Sequence, residues 1–293
     1  METSSSNAQK DHKKPSTSLS IATVCFNTPA AELEAMLSSL LPAIGRLREE
    51  FELSGLRLSL IDNSDSSESS AALVTALSES LLREQITVDV MAGHGNIGYG
   101  RAHNLLLDSL DSDFHLLMNP DVELEDSALA EGVRYLFNNP EVSLASPLGV
   151  DEQGSRLHLC KRYPALLTLL LRGFFPDSIK ALFRSRLARY EMRELQASSK
   201  AQPVPIASGC FMRCRSRDLK AVRGFDPNYF LYFEDFDLSL RLGEQGSLVF
   251  LPSMKIVHHG GNAARKGLHH IRLFLGSAIT FFNSHGWRIF SQP

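Results

Sequence analysis

Three short stretches of this chain gather residue types that can do chemistry. Asn119-Pro120-Asp121 follows the apolar run Phe114 to Met118 with an amide and a carboxylate. Glu234, Asp235 and Asp237 lie within four positions, flanked by Phe230, Tyr232, Phe233 and Phe236. His258 and His259 precede Gly260 and Gly261. Carboxylates among aromatic rings are costly to desolvate unless something positive binds there, and a carboxylate in such a place can also serve as a general base. A helix cap with first-turn acids fits Asp235 equally well. Neutral imidazole ligates divalent metals, although a histidine pair at a strand end also fits a structural role. Asn-Pro-Asp suits either a plain turn or the edge of a metal site.

A fourth stretch, GHGNIGYGRAHN, places glycines at 93, 95, 98 and 100. Glycine lets backbone approach a ligand closely, and the helix that follows would favour anions at its N-terminus. The spacing is not the dinucleotide fingerprint, and the loop follows the third expected strand rather than the first. A tight loop without a ligand remains an alternative.

Elements of alternating type must position these residues. Strands are expected at 19–26, 56–64, 86–92 and 114–119, with helices over 30–51 and 66–85 and after the glycine loop. Pro42 is expected to kink the first helix. The alternation predicts an α/β fold with a mixed, mainly parallel sheet and helices on both faces. Ligands of such sheets bind at the carboxyl ends of the strands. That rule gathers Asn27-Thr28, Asp62-Asn63-Ser64, the glycine loop and Asn119-Pro120-Asp121 on one edge. Further on, a helix over 127–138, a strand at 142–150, one strand through PVPIASGCFMRCR, a strand over 247–259 and a closing helix from 268 are expected.

Between them, residues 161–193 carry eight Lys or Arg against Asp177 and Glu191. Leu166, Leu167, Leu169, Leu170, Leu171, Phe174 and Phe175 give this segment an apolar face, so it reads as a basic amphipathic helical insert. It either packs on its own domain or meets an anionic membrane surface.

The 293 residues carry 43% hydrophobic and 22% charged residues and a formal net charge of -3, the composition of an ordinary globular protein without a nucleic-acid footprint. Cys25, Cys160, Cys210 and Cys214 form no CxxC pair and read as reduced, buried thiols, with Cys210 and Cys214 on one face of a strand. Residues 1–18 are polar with no apolar run, an expected disordered lead rather than a signal peptide. No stretch is apolar enough to span a bilayer. The expected location is cytoplasmic, with the inner face of the plasma membrane open.

In order, Asn27, Asp62-Asn63-Ser64, Asn96-x-Gly98, Asn104, Asn119-Pro120-Asp121, Ser208-Gly209-Cys210, the GFDPNYFLYFEDFDL stretch and His258-His259 resemble the family 2 glycosyltransferases of the GT-A fold. Within that family the series is similar to the rhamnosyltransferase-like branch of bacterial surface polysaccharide synthesis, over about residues 19–290. The resemblance implies a single nucleotide-sugar-binding domain, with a donor half over 19–125, an acceptor half over 126–290 and a C-terminal helix. It implies that Asp121, in an NxD form of the DxD motif, and His258 hold Mg²⁺ or Mn²⁺, with His259 the less favoured imidazole. Asn27, Thr28, Asp62, Asn63, Asn96, Gly98, Asn104, Asn119, Ser208 and Gly209 would surround the donor. Asp235 would be the catalytic base, with Glu234 its alternative. The implied activity is inverting transfer of L-rhamnose from dTDP-L-rhamnose to a lipopolysaccharide or lipid-linked saccharide acceptor. Another nucleotide sugar, or a catalytically silent sugar-nucleotide-binding protein, is the alternative. A nucleotidyltransferase is disfavoured, because no Gly-rich phosphate loop follows the first strand.

Overall fold

The computed structural model describes residues 14–64, 81, 83–260 and 268–289, with the side chains of Phe174 and Leu268 outside that description. The helix expected over 66–85 falls mostly outside the described residues, as do Gly261 and most of the N-terminal lead. In chain order the strands are β1 (Ser16–Cys25), β2 (Glu52–Asp62), β3 (Thr87–Met91), β4 (Phe114–Met118), β5 (Val122–Leu124), β6 (Val142–Val150), β7 (Cys160–Lys161), β8 (Gln202–Pro203), β9 (Ile206–Ala207), β10 (Phe211–Arg215) and β11 (Ser247–His258). The described helices are α1 (Ala30–Glu50), α2 (Tyr99–Asn104), α3 (Ala128–Asn138), α4 (Leu166–Phe174), α5 (Asp177–Leu182), α6 (Arg184–Tyr190), α7 (Ser216–Ala221), α8 (Glu234–Leu242) and α9 (Leu268–His285), with a 3₁₀ turn at Arg193–Ala197.

The main sheet runs β3-β2-β1-β4-β10-β6-β11-β5, with β8 beside β11. β1, β2, β3, β4, β6 and β11 share one direction, while β5, β8 and β10 run against them. The sheet is therefore mixed and mostly parallel by strand direction. β4 is buried at all five positions, as a central strand covered on both faces requires. α1 buries Leu33, Met36, Leu37, Leu40, Ala43, Ile44 and Leu47, the i, i+3, i+4, i+7 stripe of an amphipathic helix. Each such aliphatic side chain contributes about 1.5–3 kcal/mol when fully buried. α1 continues through Pro42, which lies on its exposed side.

Three expectations need correction. β1 begins at Ser16, so the last residues of the expected lead are sheet: they pair with β2 from Ser16↔Glu52 onward, with a register shift between Thr17 and Ser18. The single strand expected through residues 203–215 is three short strands, because Ser208-Gly209-Cys210 turns the chain between β9, which pairs with β7, and β10. That turn breaks the two-residue period, so Cys210 packs with Phe211 on one side of the sheet while Cys214 packs with Met212 on the other. All four cysteines are free and buried. The basic insert is helical, built as the three short helices α4, α5 and α6, the first ending before Pro176, which cannot extend it. Part of its apolar face is core. Leu171 is buried, and Leu166 and Leu169 pack against the cluster formed by Tyr229, Phe233, Phe281 and Phe282.

Candidate active site

The strand directions bring one edge together. The carboxyl ends of β1, β2, β3, β4 and β11 meet there with the start of the antiparallel β10. At β1 and β2 the loops are sewn to each other. The Asn63 amide donates to Cys25 O at 2.8 Å, and the Asn27 amide to Ser64 Oγ at 2.8 Å. Asn27 adopts a left-handed φ of 48°, which asparagine tolerates better than most residues. Asp62 is buried and accepts the Ser64 amide at 2.9 Å. Thr28 Oγ1 accepts the Phe26 amide, and the Phe26 ring, 51% exposed, stands at the rim.

The glycine loop is built into the protein from below. Asn63 Nδ2 donates to Gly98 O at 3.2 Å, and His94 Nε2 lies 2.9 Å from Asn63 Oδ1. Asn96 Oδ1 accepts the Gly98 amide at 3.1 Å. Gly98, at φ 92°, passes so close to Phe230 that an added Cβ would lie 2.6 Å from its carbonyl oxygen. The anion site expected at the following helix meets a different fact: α2 has only six residues, and the amide of its first, Tyr99, already donates to Phe230 O at 3.2 Å. Both amide groups of Asn104 are likewise spent. Its Nδ2 donates to Phe225 O at 2.7 Å, and its Oδ1 accepts the Phe225 amide at 2.9 Å. Asn104 frames the loop from inside the fold.

The acid chemistry is concentrated one strand further on. The Asn119 amide donates to Cys210 O at 2.9 Å, which fixes Asn119-Pro120-Asp121 beside Ser208-Gly209-Cys210. The Gly209 amide donates to Asp235 Oδ2 at 2.9 Å and the Phe236 amide to Asp235 Oδ1 at 3.0 Å. Tyr99 Oη donates to Gly209 O at 2.7 Å, tying the glycine loop to the same turn. Ser208 Oγ faces the Cys210 amide at 3.4 Å. Glu234 and Asp235 begin α8 directly after Tyr232 and Phe233, both in left-handed conformation at φ 72° and 63°. Non-glycine residues held there store strain of about 1–3 kcal/mol each. Phe233 pays for it by packing against Phe236, Phe274 and Phe281.

Glu234 and Asp235 differ in their surroundings. Burial raises both carboxyls above the usual range, and the Asp235 charge raises Glu234 further. Asp235 accepts two backbone N–H bonds that stabilise its anion, whereas Glu234 Oε2 is buried without a hydrogen-bond partner. Asp235 is thus the member that ionises first, and Glu234 keeps the proton. The third acid is structural: Asp237 binds Arg241 at 2.8 Å and His285 at 2.8 Å inside the core.

Asp121 faces the end of β11. His258 Nε2 lies 3.3 Å from Asp121 Oδ1, yet that buried oxygen has no hydrogen-bond partner. Burial works to raise the Asp121 carboxyl, but the nearby His258 imidazole, the backbone and the Asn119 amide outweigh it and leave the group below its usual range. Gly260 closes over the pair: an added Cβ would lie 1.9 Å from Asp121 Oδ2 and 3.0 Å from His258 Nε2. Among the described residues no group of three or more His, Cys, Asp or Glu side chains is arranged to hold a metal. A carboxylate oxygen and an imidazole nitrogen side by side nevertheless fit a cation whose remaining ligands are phosphate and water oxygens, as Mg²⁺ prefers. His259 is turned elsewhere, bridging Glu123 at 2.6 Å and Glu152 at 2.9 Å.

Gly260→Ala is expected to weaken metal-dependent binding at Asp121 by about 10–100-fold, the scale of lost ligand orientation, with little change in thermal melting. Titration calorimetry with a nucleoside diphosphate and Mn²⁺ measures it, and unchanged affinity would show that the cradle over Asp121 has no such role.

Several residues at this edge carry no sequence signal of their own. Tyr99 is half-buried, and its phenol is raised by desolvation and by the charges of Cys210, Glu234, Asp235 and Asp121, so all of these converge on it. Lys161 is buried and acts on Asp235. Tyr99 follows the conspicuous Gly98, the one hint in the sequence; Lys161 is hidden in the basic run.

No protein-family model matches the chain. The N-acetylglucosaminyl-diphospho-decaprenol L-rhamnosyltransferase of two Mycobacterium tuberculosis strains is 29% identical, over 56% of this chain and 56% of the relative. The rhamnosyltransferase WbbL of Escherichia coli K12 is 26% identical, over 62% of this chain and 69% of the relative. The chain thus spans little more than half the length of the mycobacterial relatives it matches. Among solved structures, GalNAc-T7 crystallised with UDP, GalNAc and Mn²⁺ superposes with a TM-score of 0.58 at 16% identity, over 83% of this chain and 44% of that one. S. aureus TarS superposes with a TM-score of 0.53 at 12% identity, over 91% of this chain and 40% of that one. The chain is thus similar in sequence to rhamnosyltransferases, and its fold is the GT-A fold.

Proposed function

We propose that this protein is an inverting glycosyltransferase that moves L-rhamnose from dTDP-L-rhamnose to a lipopolysaccharide or lipid-linked saccharide. One observation carries the reading: Asp235, held as an anion by two backbone amides, shares an edge with the Asp121–His258 donor set. The relatives' names, all rhamnosyltransferases, favour rhamnose among nucleotide sugars.

In this reading the acceptor hydroxyl approaches Asp235 and gives up its proton to that carboxylate as its oxygen attacks the anomeric carbon. The new C–O bond forms as the bond from that carbon to the donor diphosphate breaks, with the electron pair leaving on the phosphate oxygen. A Mg²⁺ or Mn²⁺ ion held by Asp121 and His258 would neutralise the charge on that leaving group. Asn119 holds Asp121 in place. Asn27, Thr28 and Asp62 line the part of the edge where the base and sugar of the nucleotide would lie, and the exposed Phe26 ring offers it a stacking face. Asn63, Asn96, Gly98 and Asn104 act as the frame of the donor loop. Ser208 and Gly209 stand where donor sugar and acceptor meet. The donor half spans 19–125 and the acceptor half 126–290. The site of action is the cytoplasm, at the inner face of the plasma membrane; among the described residues no helix is long and apolar enough to cross it.

A panel of sugar nucleotides, assayed for binding and hydrolysis with Mn²⁺ and with EDTA, tests the reading. dTDP-L-rhamnose is expected to bind most tightly and to lose affinity in EDTA. Preference for another sugar nucleotide would move the donor assignment, and binding without any hydrolysis or transfer would leave a silent binding protein.

The division of labour between the two acids has its own test. Both titrate higher folded than unfolded, so the folded state holds more protons between the ordinary carboxylate range and the raised values. Stability therefore falls as pH rises through that window, and the full penalty is present above it. Glu234→Gln copies the protonated acid. It is expected to keep transfer within about tenfold, since a base contributes more than that, and to flatten the fall in stability at alkaline pH. Relief of about 1 kcal/mol corresponds to a melting temperature roughly 2–4 °C higher. Thermal scans from pH 5 to 9 beside rate measurements check both. A loss of transfer matching that of an Asp235 variant would assign the base to Glu234.

A further inference from the structure

A cavity lies in the proposed acceptor half. It has a volume of about 400 Å³ and is lined by Arg162, Arg186, Arg189 and Arg288 together with Tyr163 and Tyr190, and no Asp or Glu lines it. That volume is in the range of about 300–1,000 Å³ typical of small-ligand sites. Glu194 at its margin engages Arg162 at 2.5 Å and also acts on Arg189. Guanidinium is the side chain best matched to phosphate, through planar paired donors. Tyr190 lines this cavity with its hydroxyl buried, and the charges of Arg172 and, less strongly, Asp235 reach it.

The cavity opens beside apolar surface. Ile271, Leu275 and Ile279, at spacings of four on α9, are 40%, 46% and 52% exposed. The row continues through Asn283, which accepts the indole N–H of Trp287 at 3.0 Å. Trp287 is 53% exposed and directly precedes Arg288 of the cavity, whose guanidinium lies over the Tyr163 ring at 3.9 Å. Backbone bonds from Leu166 to Arg288 O at 2.9 Å and from Leu167 to Ile289 O at 3.4 Å fix this tail against α4. No Asp or Glu occurs after Glu244 in the sequence, so the apolar row is flanked only by neutral and basic residues.

We propose that the arginine cavity binds the diphosphate of a lipid-linked acceptor, with the lipid chain running along the α9 row past Trp287. This inference rests on the transferase reading and names its acceptor class: a saccharide on a lipid diphosphate. The cavity then holds the charged end of the acceptor one tyrosine away from the base, and the hydrocarbon remains at the surface where a bilayer supplies it.

The chain has a single tryptophan, so its fluorescence reports on Trp287 directly. Farnesyl diphosphate, below its micelle concentration and in EDTA to silence cation-dependent binding at Asp121, is expected to change that emission saturably. Farnesol and inorganic diphosphate should each bind at least about tenfold more weakly, since each lacks one half of the recognition. The double variant R186E/R189E should weaken farnesyl diphosphate at least about tenfold, because it reverses half of the guanidinium set, while dTDP binding in Mn²⁺ stays at wild-type strength. If that variant does not fold, Arg288→Glu on the terminal tail carries the same expectation. Inorganic diphosphate binding as tightly as farnesyl diphosphate, farnesol binding as tightly, or variants that bind like the wild type would each overturn the proposal. Loss of dTDP binding in the wild type with farnesyl diphosphate binding intact would sink the donor reading and leave this site standing.

Discussion

Asp235→Asn is expected to lower glycosyl transfer by about 10²–10⁴-fold, the range that a positioned general base supplies, while donor affinity stays within a factor of a few. The carboxylate spends each oxygen on a backbone amide, Gly209 at 2.9 Å and Phe236 at 3.0 Å, so its position is set by the Ser208-Gly209-Cys210 turn and the start of α8 together. Asparagine keeps the shape but presents an NH₂ to one of those two donors. A loss of about 1 kcal/mol of stability follows from that mismatch, and thermal melting should register it separately from the rate. Donor binding, measured by calorimetry in Mn²⁺, depends on the Asp121 side of the edge and is expected to persist. Near-wild-type transfer by this variant would falsify the assignment.

The second large effect belongs to Asp121→Ala. Metal-dependent donor affinity is expected to fall by at least about 100-fold, or about 2.7 kcal/mol, because the described residues offer the cation only this carboxylate and the His258 imidazole beside it. Asn119 is neutral and cannot take over the charge. The affinity that remains should no longer respond to EDTA. His258→Ala is expected to have the same sign and a smaller size, since the anion is left in place. Equal donor affinity for wild type and Asp121→Ala, with and without EDTA, would show that no cation bridges protein and diphosphate at this position.

Most of the edge was legible in the residues. Apolar runs that stop on polar residues marked the ends of β1, β2 and β4, and a parallel sheet puts such ends on one side. The expected acids, Asp121, Glu234 and Asp235, lie where the fold brings its polar ends together. The reverse direction of β10 was not legible, because the side-chain alternation of a short strand reads the same in either direction. That reversal nonetheless brings Gly209 to Asp235 and Cys210 to Asn119.

The sequence by itself determined the element types, the polar punctuation at strand ends and the identity of the acids and imidazoles, because these depend on side-chain type and short spacing. Only the tertiary structure decided their separate tasks. Asp237 is paired with Arg241 and lies at hydrogen-bond distance from His285, Asp235 is held by two amides and Glu234 Oε2 is left unpartnered. Three carboxylates within four positions look alike in a sequence. They differ here because each meets partners between 1 and 48 residues away or none at all, and it is those partners that fix where a proton resides. The same holds for Asn104 and His259, whose side chains the fold spends on Phe225 and on two glutamates. Long-range pairing, which no local pattern encodes, chose which polar groups would be used by the protein and which would be left free for a ligand.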